Sequence, residues 1–503
     1  MKKKLLLTIC ALLIACFTFG LVACGEEPVN YTVSFDSAGG SRVMAQTVVE
    51  GGKVRQPDDP YFRGCTFLGW YLGGELWDFE NNVVQNDITL KAKWEQIETE
   101  GLAFKDLTST TCSVSIGDAI YDDVIVIPAE HNGKTVVEIE DDGFTEGRIL
   151  SVVIMPDTIT RIGDRAFGGL AELDDVEIPA KVTSIGADAF NGCVELCDFR
   201  LKLGTALERI EDRAFYGCRK LNSIVLPETV TYIGEDAFFN CLALTKINYL
   251  GTLDAWIDMG FKTEYSNPTR YAKNLYIKSK VVSSVDFGTR TEIPAFAFIN
   301  CENLAKITIN STVMAVGEKA FRGCKGLKEI VYAEGCTLKT IKQSAFSNCS
   351  SLETMYIPTS VTDIQESAFE GCANLKGVIF FKNSTITEIK ADVFKNCRSL
   401  EYIVLPVSVT TFAQGSLDNC SSLTRAYYYG NETEWQNVNL DLAGGYEGEL
   451  EEGQEEEEPP IILVKDMIAP YYYSVTEEEG KWHFEEDLPK VWGEIDESDE
   501  ETV

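Results

Sequence analysis

Cysteine is the residue type whose number and spacing could do chemistry in this chain. Sixteen cysteines stand against two histidines, His131 and His483. Nine of them form a series: Cys193, Cys218, Cys241, Cys301, Cys324, Cys349, Cys372, Cys397 and Cys420. Each follows a phenylalanine, or once a leucine, by three residues. Thiols can attack substrates, bind zinc or pair into disulfides. Two histidines far apart leave little scope for an imidazole-assisted nucleophile, and the absence of any C-x-x-C pair removes the usual zinc spacing. A disulfide framework stays open, since Cys193 and Cys197 are close in sequence. The competing reading is a row of small buried hydrophobes beside an Ala-Phe pair.

Carboxylates are plentiful. Asp and Glu number 79 against 44 Lys and Arg, a formal net charge of −35. Paired carboxylates suffice for glycoside hydrolysis, so a carbohydrate-active enzyme is the remote alternative. However, the acids between 101 and 440 fall mostly at variable positions of a repeat, where solvated side chains belong. No G-x-S-x-G, H-E-x-x-H or phosphate loop is present. The expectation is a non-enzymatic protein with no catalytic residue, metal or cofactor. The acidity also argues against nucleic acid or an anionic membrane surface as partner.

The elements that place these cysteines repeat with them. The spacings along the series are 25, 23, 60, 23, 25, 23, 25 and 23 residues. Three copies show the frame: LDDVEIPAKVTSIGADAFNGC (173–193), LNSIVLPETVTYIGEDAFFNC (221–241) and LETMYIPTSVTDIQESAFEGC (352–372). A fixed period of this size marks a solenoid. Within a unit, L-x-x-I-x-L ends with the alternation of a strand. Pro156, Pro179, Pro227, Pro358 and Pro406 follow, where a missing N–H is tolerated. V-T-x-I-G is a second short extended piece, and Gly163, Gly186 and Gly234 are expected to turn the chain. A-F-x-x-C reads as about one helical turn. One unit buries too little to order itself, so units must stack with backbone hydrogen bonds between neighbours. The longer units, such as LKEIVYAEGCTLKTIKQSAFSNC (327–349), carry two extra residues after the first strand.

This frame resembles the BspA-type leucine-rich repeat family of bacterial surface proteins, over roughly residues 101–440. The resemblance implies a mostly β fold with short helical turns, a solenoid of about ten stacked units. Residues 101–147 are its N-terminal cap, with VIVIPAEHNGKTVVEIEDDGF (124–144) as an atypical first unit, and 148–440 its body. Leu170 in place of cysteine and Leu417 in place of phenylalanine mark irregular terminal units. Residues 30–95 follow other rules. The strings VSFDSAGG, FLGWY and ITLKAKW, in that order, resemble the Listeria–Bacteroides (internalin-type B) repeat, which implies a small β-grasp-like module.

Lys2, Lys3 and Lys4 precede an apolar run from Leu5 to Val22, a secretory signal by charge and length. The run leads into Leu21-Val22-Ala23-Cys24, which resembles the bacterial lipobox. That resemblance implies a signal peptide over 1–23, a diacylglyceryl thioether on Cys24 and an anchor and linker over 24–29. Membrane contact then runs through the lipid alone, and the rest of the chain is extracytoplasmic. An uncleaved helix, or ordinary cleavage near Cys24, is the other reading of the same run.

Between Cys241 and Cys301 the frame is interrupted at about 249–273. The interruption opens with YLGTLDAWIDMGF (249–261), and the frame returns at NLYIKSKVVSSV (274–285). A string related to the opening, YYGNETEWQNVNL (428–440), comes after Cys420, so that Gly251 and Trp256 match Gly430 and Trp435. Residues 441–462 form an acidic low-complexity loop, and 463–503 a short hairpin plus acidic tail. Between Glu447 and Val503 lie 21 acidic and 3 basic residues, about half of the excess negative charge.

With no reacting constellation, function moves to a surface. The outward position of the first strand, the x of I-x-L, reads Ile154, Glu177, Arg200, Val225, Asn248, Tyr276, Thr308, Val331, Tyr356, Ile379, Val404 and Tyr427. Solvated faces are mostly charged, whereas this one turns aromatic and β-branched toward the C-terminus. Strand propensity alone also favours such residues. Tyr276, Tyr356 and Tyr427, with Tyr402 and Arg425 in the adjoining column, are the expected binding residues. The expected partners are a host or bacterial surface protein, a matrix protein or a glycan, held by a monomer acting in adhesion. A surface scaffold without a dedicated ligand is the alternative.

Overall fold

The computed structural model describes residues 29–447, 461–463, 467–473, 481–485 and 488–491. The apolar run expected to be a signal segment and Cys24 lie outside the described residues, as do most of the acidic run and the tail beyond 491. Two compact units divide between Ile97 and Glu98.

The first unit is a five-stranded sheet: β1 (Asn30–Asp36), β2 (Gln46–Val49), β3 (Cys65–Leu72), β4 (Glu75–Leu76) and β5 (Ile88–Gln96), in the order β2-β1-β5-β3-β4. β1 and β5 pair in parallel and the other pairs are antiparallel. Alternation along these strands sends Val33, Trp70, Leu90 and Ala92 into one small core with Trp77 and Val84. Gly69 of FLGWY, at φ +128°, sits where the β3–β5 register shifts, a bulge that needs its freedom.

The second unit is the solenoid. Its first strands stack in parallel and in register, so Asp175, Val176, Glu177 and Ile178 lie beside Asp198, Phe199, Arg200 and Leu201. A second ladder of two-residue strands runs from Arg161–Ile162 through Ser184–Ile185 and Arg209–Ile210 to Tyr232–Ile233. It resumes from Glu292–Ile293 to Asp363–Ile364.

The A-F-x-x-C segment makes a third ladder. It winds as successive i→i+3 turns, with Ala189 donating to Gly186 and Cys193 to Phe190. No regular helix forms, because left-handed residues interrupt it. The residue before Ala-Phe has positive φ in unit after unit, as at Arg165, Asp188 and Arg213. The residue before each ladder cysteine is always Gly or Asn, from Gly192 (φ 77°) to Asn419 (φ 58°). The freed amides bond between units: Phe190 donates to Ala214 O at 2.7 Å, and Gly192 to Tyr216 O at 2.8 Å. The phenylalanines stack as a spine with centroids 5.2–5.4 Å apart from Phe144 to Phe238. Between Phe298 and Phe394 the centroids are 5.3–5.8 Å apart.

The glycines of I-G do a different job from the expected turn. Gly163, Gly186 and Gly234 stay outside the left-handed region. They are glycine because a Cβ on Gly186 would lie 2.5 Å from the Gly163 main chain. They permit close approach between units.

The interruption folds into two short helices, α1 (Leu253–Asp258) and α2 (Thr269–Ala272). Its side chains replace the main-chain donors that a full unit supplies to the next. Trp256 Nε1 donates to Ala297 O at 3.1 Å, and Asn267 Nδ2 to Phe296 O at 2.8 Å. Thr269 Oγ1 donates to Ile299 O at 2.8 Å. After the last unit, α3 (Glu432–Trp435) opens the matching loop. There the carbonyls of Leu442, Ala443 and Gly445 accept from Gly415, Leu417 and Asn419 at 2.8, 2.7 and 2.9 Å. That closes the turn ladder.

Candidate binding face and thiol ladder

The cysteine series is buried inside the stack. Each thiol of the series, Cys301 apart, donates to the carbonyl of the phenylalanine one unit earlier. Examples are Cys193 to Phe167 O at 3.2 Å, Cys349 to Phe321 O at 3.2 Å and Cys420 to Phe394 O at 3.2 Å. Among the described residues all thirteen cysteines are free thiols. Burial pushes Cys193, Cys241, Cys301, Cys372 and Cys420 up to about 12. Such thiols stay protonated and unreactive at neutral pH. Among the described residues no group of three Asp, Glu, His or Cys side chains is placed to hold a metal.

One ionic centre lies at the insertion. Glu264, only 12% exposed at its side chain, takes Arg322 at 2.9 Å, Lys319 at 3.2 Å and Arg270. Burial alone would raise its carboxyl, but Arg270, Lys319 and Arg322 together hold it below the usual range. The residues join the insertion and α2 to the second unit after it, where Lys319 and Arg322 both lie.

The outward column is where the expected binding residues fall, and the structure brings together four of the five. Tyr356–Ile379–Val404–Tyr427 are register partners along one sheet, and Tyr402 pairs with Arg425 in the next column. Tyr276 is elsewhere. It pairs with Asn248 and Val281 in an earlier sheet, under the Lys246 ammonium at 4.6 Å. The strand Ser284–Asp286, whose Asp286 shares register with Thr308, opens the next sheet. Its weak S-V-D-F string conceals it in the sequence.

Tyr427 is not an outward surface residue. It is 2% exposed, and Ile379 and Val404 are fully covered. For Tyr427 the cause is the C-terminal segment, while Ile379 and Val404 share a cluster edged by Tyr356, Tyr402 and Tyr429. Ala469–Tyr473 adds a parallel strand beside Arg425–Tyr428, and Tyr471 stacks on Tyr427 at 5.5 Å. Trp482 lies against Tyr427 at 5.5 Å and Tyr429 at 5.0 Å, and its Nε1 donates to Tyr428 O at 3.1 Å. These residues form a second small core separate from the main one. The expected hairpin is Lys481–Glu485 with Leu488–Val491, but it is preceded by a strand that continues the solenoid sheet. Tyr402 turns its ring over Gly377, where a Cβ would meet it at 2.3 Å, and burial pushes its hydroxyl up to about 12.

What stays open lies beside this covered part. Tyr356 and Phe381 stack at 6.5 Å, with Phe381 41% exposed. With Thr359, Lys382, Asn383 and Tyr429 they line a cleft of about 600 Å³ floored by Ile379. The lining carries a lysine and no carboxylate in a chain of net charge −35. Phe381 and Tyr429, just past their strands, escape a reading confined to strand columns.

Among the described residues no helix is long and apolar enough to cross a membrane. Two relatives from Evansella cellulosilytica carry names that call them membrane proteins, the second Gly-rich. One is 47% identical over 68 residues, 13% of this chain and 10% of the relative. The other is 33% identical over 140 residues, 27% and 15% respectively. The chain thus spans a small fraction of the curated relatives it matches. Among solved structures, the pneumococcal vaccine antigen PcpA aligns at 18% identity and TM-score 0.45, covering 70% of this chain and 97% of that one. A leucine-rich repeat protein from Bacteroides ovatus aligns at 21% and 0.44, covering 70% and 98%. The Listeria-Bacteroides repeat domain model matches residues 31–93. The BspA type leucine rich repeat model matches six copies over 137–266 and 291–424, more than half of the 503 residues, and the chain belongs to that family.

Proposed function

We propose that this chain is a non-enzymatic surface protein that binds a macromolecular partner through the strand face of its C-terminal units. The observation that carries the reading is the Tyr356–Phe381 cleft, an aromatic surface without carboxylates on an otherwise acidic molecule. Aromatic side chains are frequent hot-spot residues, each sometimes worth more than about 2 kcal/mol. Arg425 and Tyr402 flank the same face. In this reading the chain is exported, lipidated on Cys24 and displayed as a monomer, with 24–29 as linker, 30–95 as spacer module and 101–440 as the binding solenoid. The partner is a host or bacterial surface protein, a matrix protein or a glycan.

The test is a screen of residues 25–503 against matrix proteins, cells and a glycan array, repeated with a Tyr356→Ala, Phe381→Ala variant of native circular dichroism. At least a tenfold loss of affinity is expected for any partner found. Unchanged affinity removes this face from consideration. For the anchor, Cys24→Ala is expected to abolish metabolic labelling by a fatty acid, and retained labelling refutes lipidation there.

A further inference from the structure

We infer that the face accepts an extended, aromatic-bearing peptide strand, and that the strand Ala469–Tyr473 together with Trp482 is its resident, displaceable occupant. The inference rests on the binding-face reading above and narrows its partner class to a protein segment able to pair as a strand.

The argument begins with what holds that segment. Interior strands belong to units tied by three ladders. The strand Ala469–Tyr473 is tied by one. The second-strand and turn ladders already end at Asn439, Leu442, Ala443 and Gly445, which take the bonds from Phe412, Gly415, Leu417 and Asn419. No V-T-x-I and no A-F-x-x-C follows Tyr473, so the strand brings no core of its own. Its four register pairs run from Arg425–Ala469 to Tyr428–Tyr472. Ala469 N–H donates to Thr424 O at 2.9 Å, and alternation turns Pro470, which has no N–H, toward the outer neighbour. Beyond this one backbone ladder, what remains is side-chain seating. Tyr471 points outward onto Tyr427, while Ile468 and Tyr472 only edge the main core. Trp482 then covers Tyr427 and Tyr429.

The seating defines the recognised chemistry. An edge strand offers backbone pairing to any extended segment, and specificity comes from alternate side chains. Here the receptor supplies one outward aromatic seat, one seat at the core edge and a third for an indole whose N–H meets Tyr428 O. Departure of the segment leaves the main core shut, because the turn ladder is capped independently. It uncovers Tyr427 and Tyr429 and leaves the edge of Arg425–Tyr428 unpaired. Tyr429, which Trp482 covers, also lines the Tyr356–Phe381 cleft, so a partner's side chain seated in place of that indole meets the cleft at this ring.

The experiment uses the full chain and a synthetic fluorescent peptide spanning residues 467–491. Trp482→Ala is expected to loosen the resident segment, so the peptide binds that chain at least tenfold tighter than it binds the wild type. Hydrogen exchange is expected to show faster amides at Ala426 and Tyr428 in the variant, with those at 402–405 unchanged, and protection restored by the peptide. Tyr471→Ala, a milder change, serves as the second variant should Trp482→Ala lose its native circular dichroism. Equal peptide affinity for wild-type and variant chains overturns the inference, as does a doubly substituted Tyr471→Ala, Trp482→Ala peptide that binds as tightly as the parent. A partner that needs Tyr356 and Phe381 yet binds both chains equally also overturns it, while leaving the binding-face reading intact.

Discussion

Each ladder cysteine and its phenylalanine act as a pair, and the pair sets how single substitutions behave. Phe238, stacked on Phe215 at 5.3 Å and 1% exposed, lies near the end of the N-terminal spine. Phe238→Ala is expected to cost about 3–5 kcal/mol in urea unfolding, the range for a buried aromatic cavity. A loss under about 1 kcal/mol means that the ring is not in the core. The thiols add a pH dependence. Burial lifts Cys193 and Cys420 from about 8.5 in an unfolded chain to about 12, and moves Cys349 in the same direction. The folded value is the higher one, so the folded state holds its protons more tightly. Their contribution is complete below about pH 8.5 and is lost as pH climbs toward 12. The solenoid midpoint is expected to fall steeply above about pH 9, and less so in Cys349→Ala relative to its own neutral value. An identical alkaline slope in both chains refutes the assignment. At this scale the sequence was largely legible, since spacing alone put Phe and Cys in one core. The Gly or Asn before every ladder cysteine belongs to no apolar period, because that position is defined by its positive φ and not by burial. The burial of Tyr427 was not legible at all, since it depends on where a distant C-terminal segment docks.

Among elements, the insertion from Tyr249 to Lys273 is the joint of the stack. The Trp and Gly positions shared with 428–440 were readable, and the reason for both glycines is steric. A Cβ on Gly251 would meet the Tyr249 ring at 2.5 Å, and one on Gly430 the Tyr428 ring at 2.4 Å. The substitution of Trp256, Asn267 and Thr269 for missing main-chain donors could not be read, because it requires knowing which carbonyls the next unit leaves open. Glu264 clamps this joint with Arg270, Lys319 and Arg322. Its folded carboxyl titrates below its unfolded value, so its stabilisation is present above about pH 4.3 and is lost as pH falls through the lower folded value. Glu264→Gln is expected to cost about 1–3 kcal/mol at neutral pH, the range of charged hydrogen bonds. Faster hydrogen exchange is expected at 296–300, where the insertion delivers its side-chain bonds. Unchanged exchange there shows that the clamp is dispensable.

At the scale of the molecule, solenoid stability is a sum over units and their interfaces. The N-terminal sheet has its own core of Trp70, Trp77 and Leu90 and a division at Ile97. Calorimetry is therefore expected to resolve a transition of the sheet that Phe238→Ala leaves in place while the solenoid transition moves down. Movement of both together refutes their independence. The repeat made the solenoid legible because every unit restates the same constraint. The chain beyond residue 440 restates no earlier segment, and so its part in covering the strand face is not legible in the sequence. The direction of the inter-unit bonds has a mechanical consequence. Strand, turn and thiol hydrogen bonds all join one unit to the next, so a pull between the two ends of the stack loads them in tension, a few at a time. The stack would yield by peeling from an end or from the joint at 249–273, one unit after another. Each 23-residue unit released would pay out about 75–85 Å of extended chain. Under load such a protein lengthens in steps before it lets go.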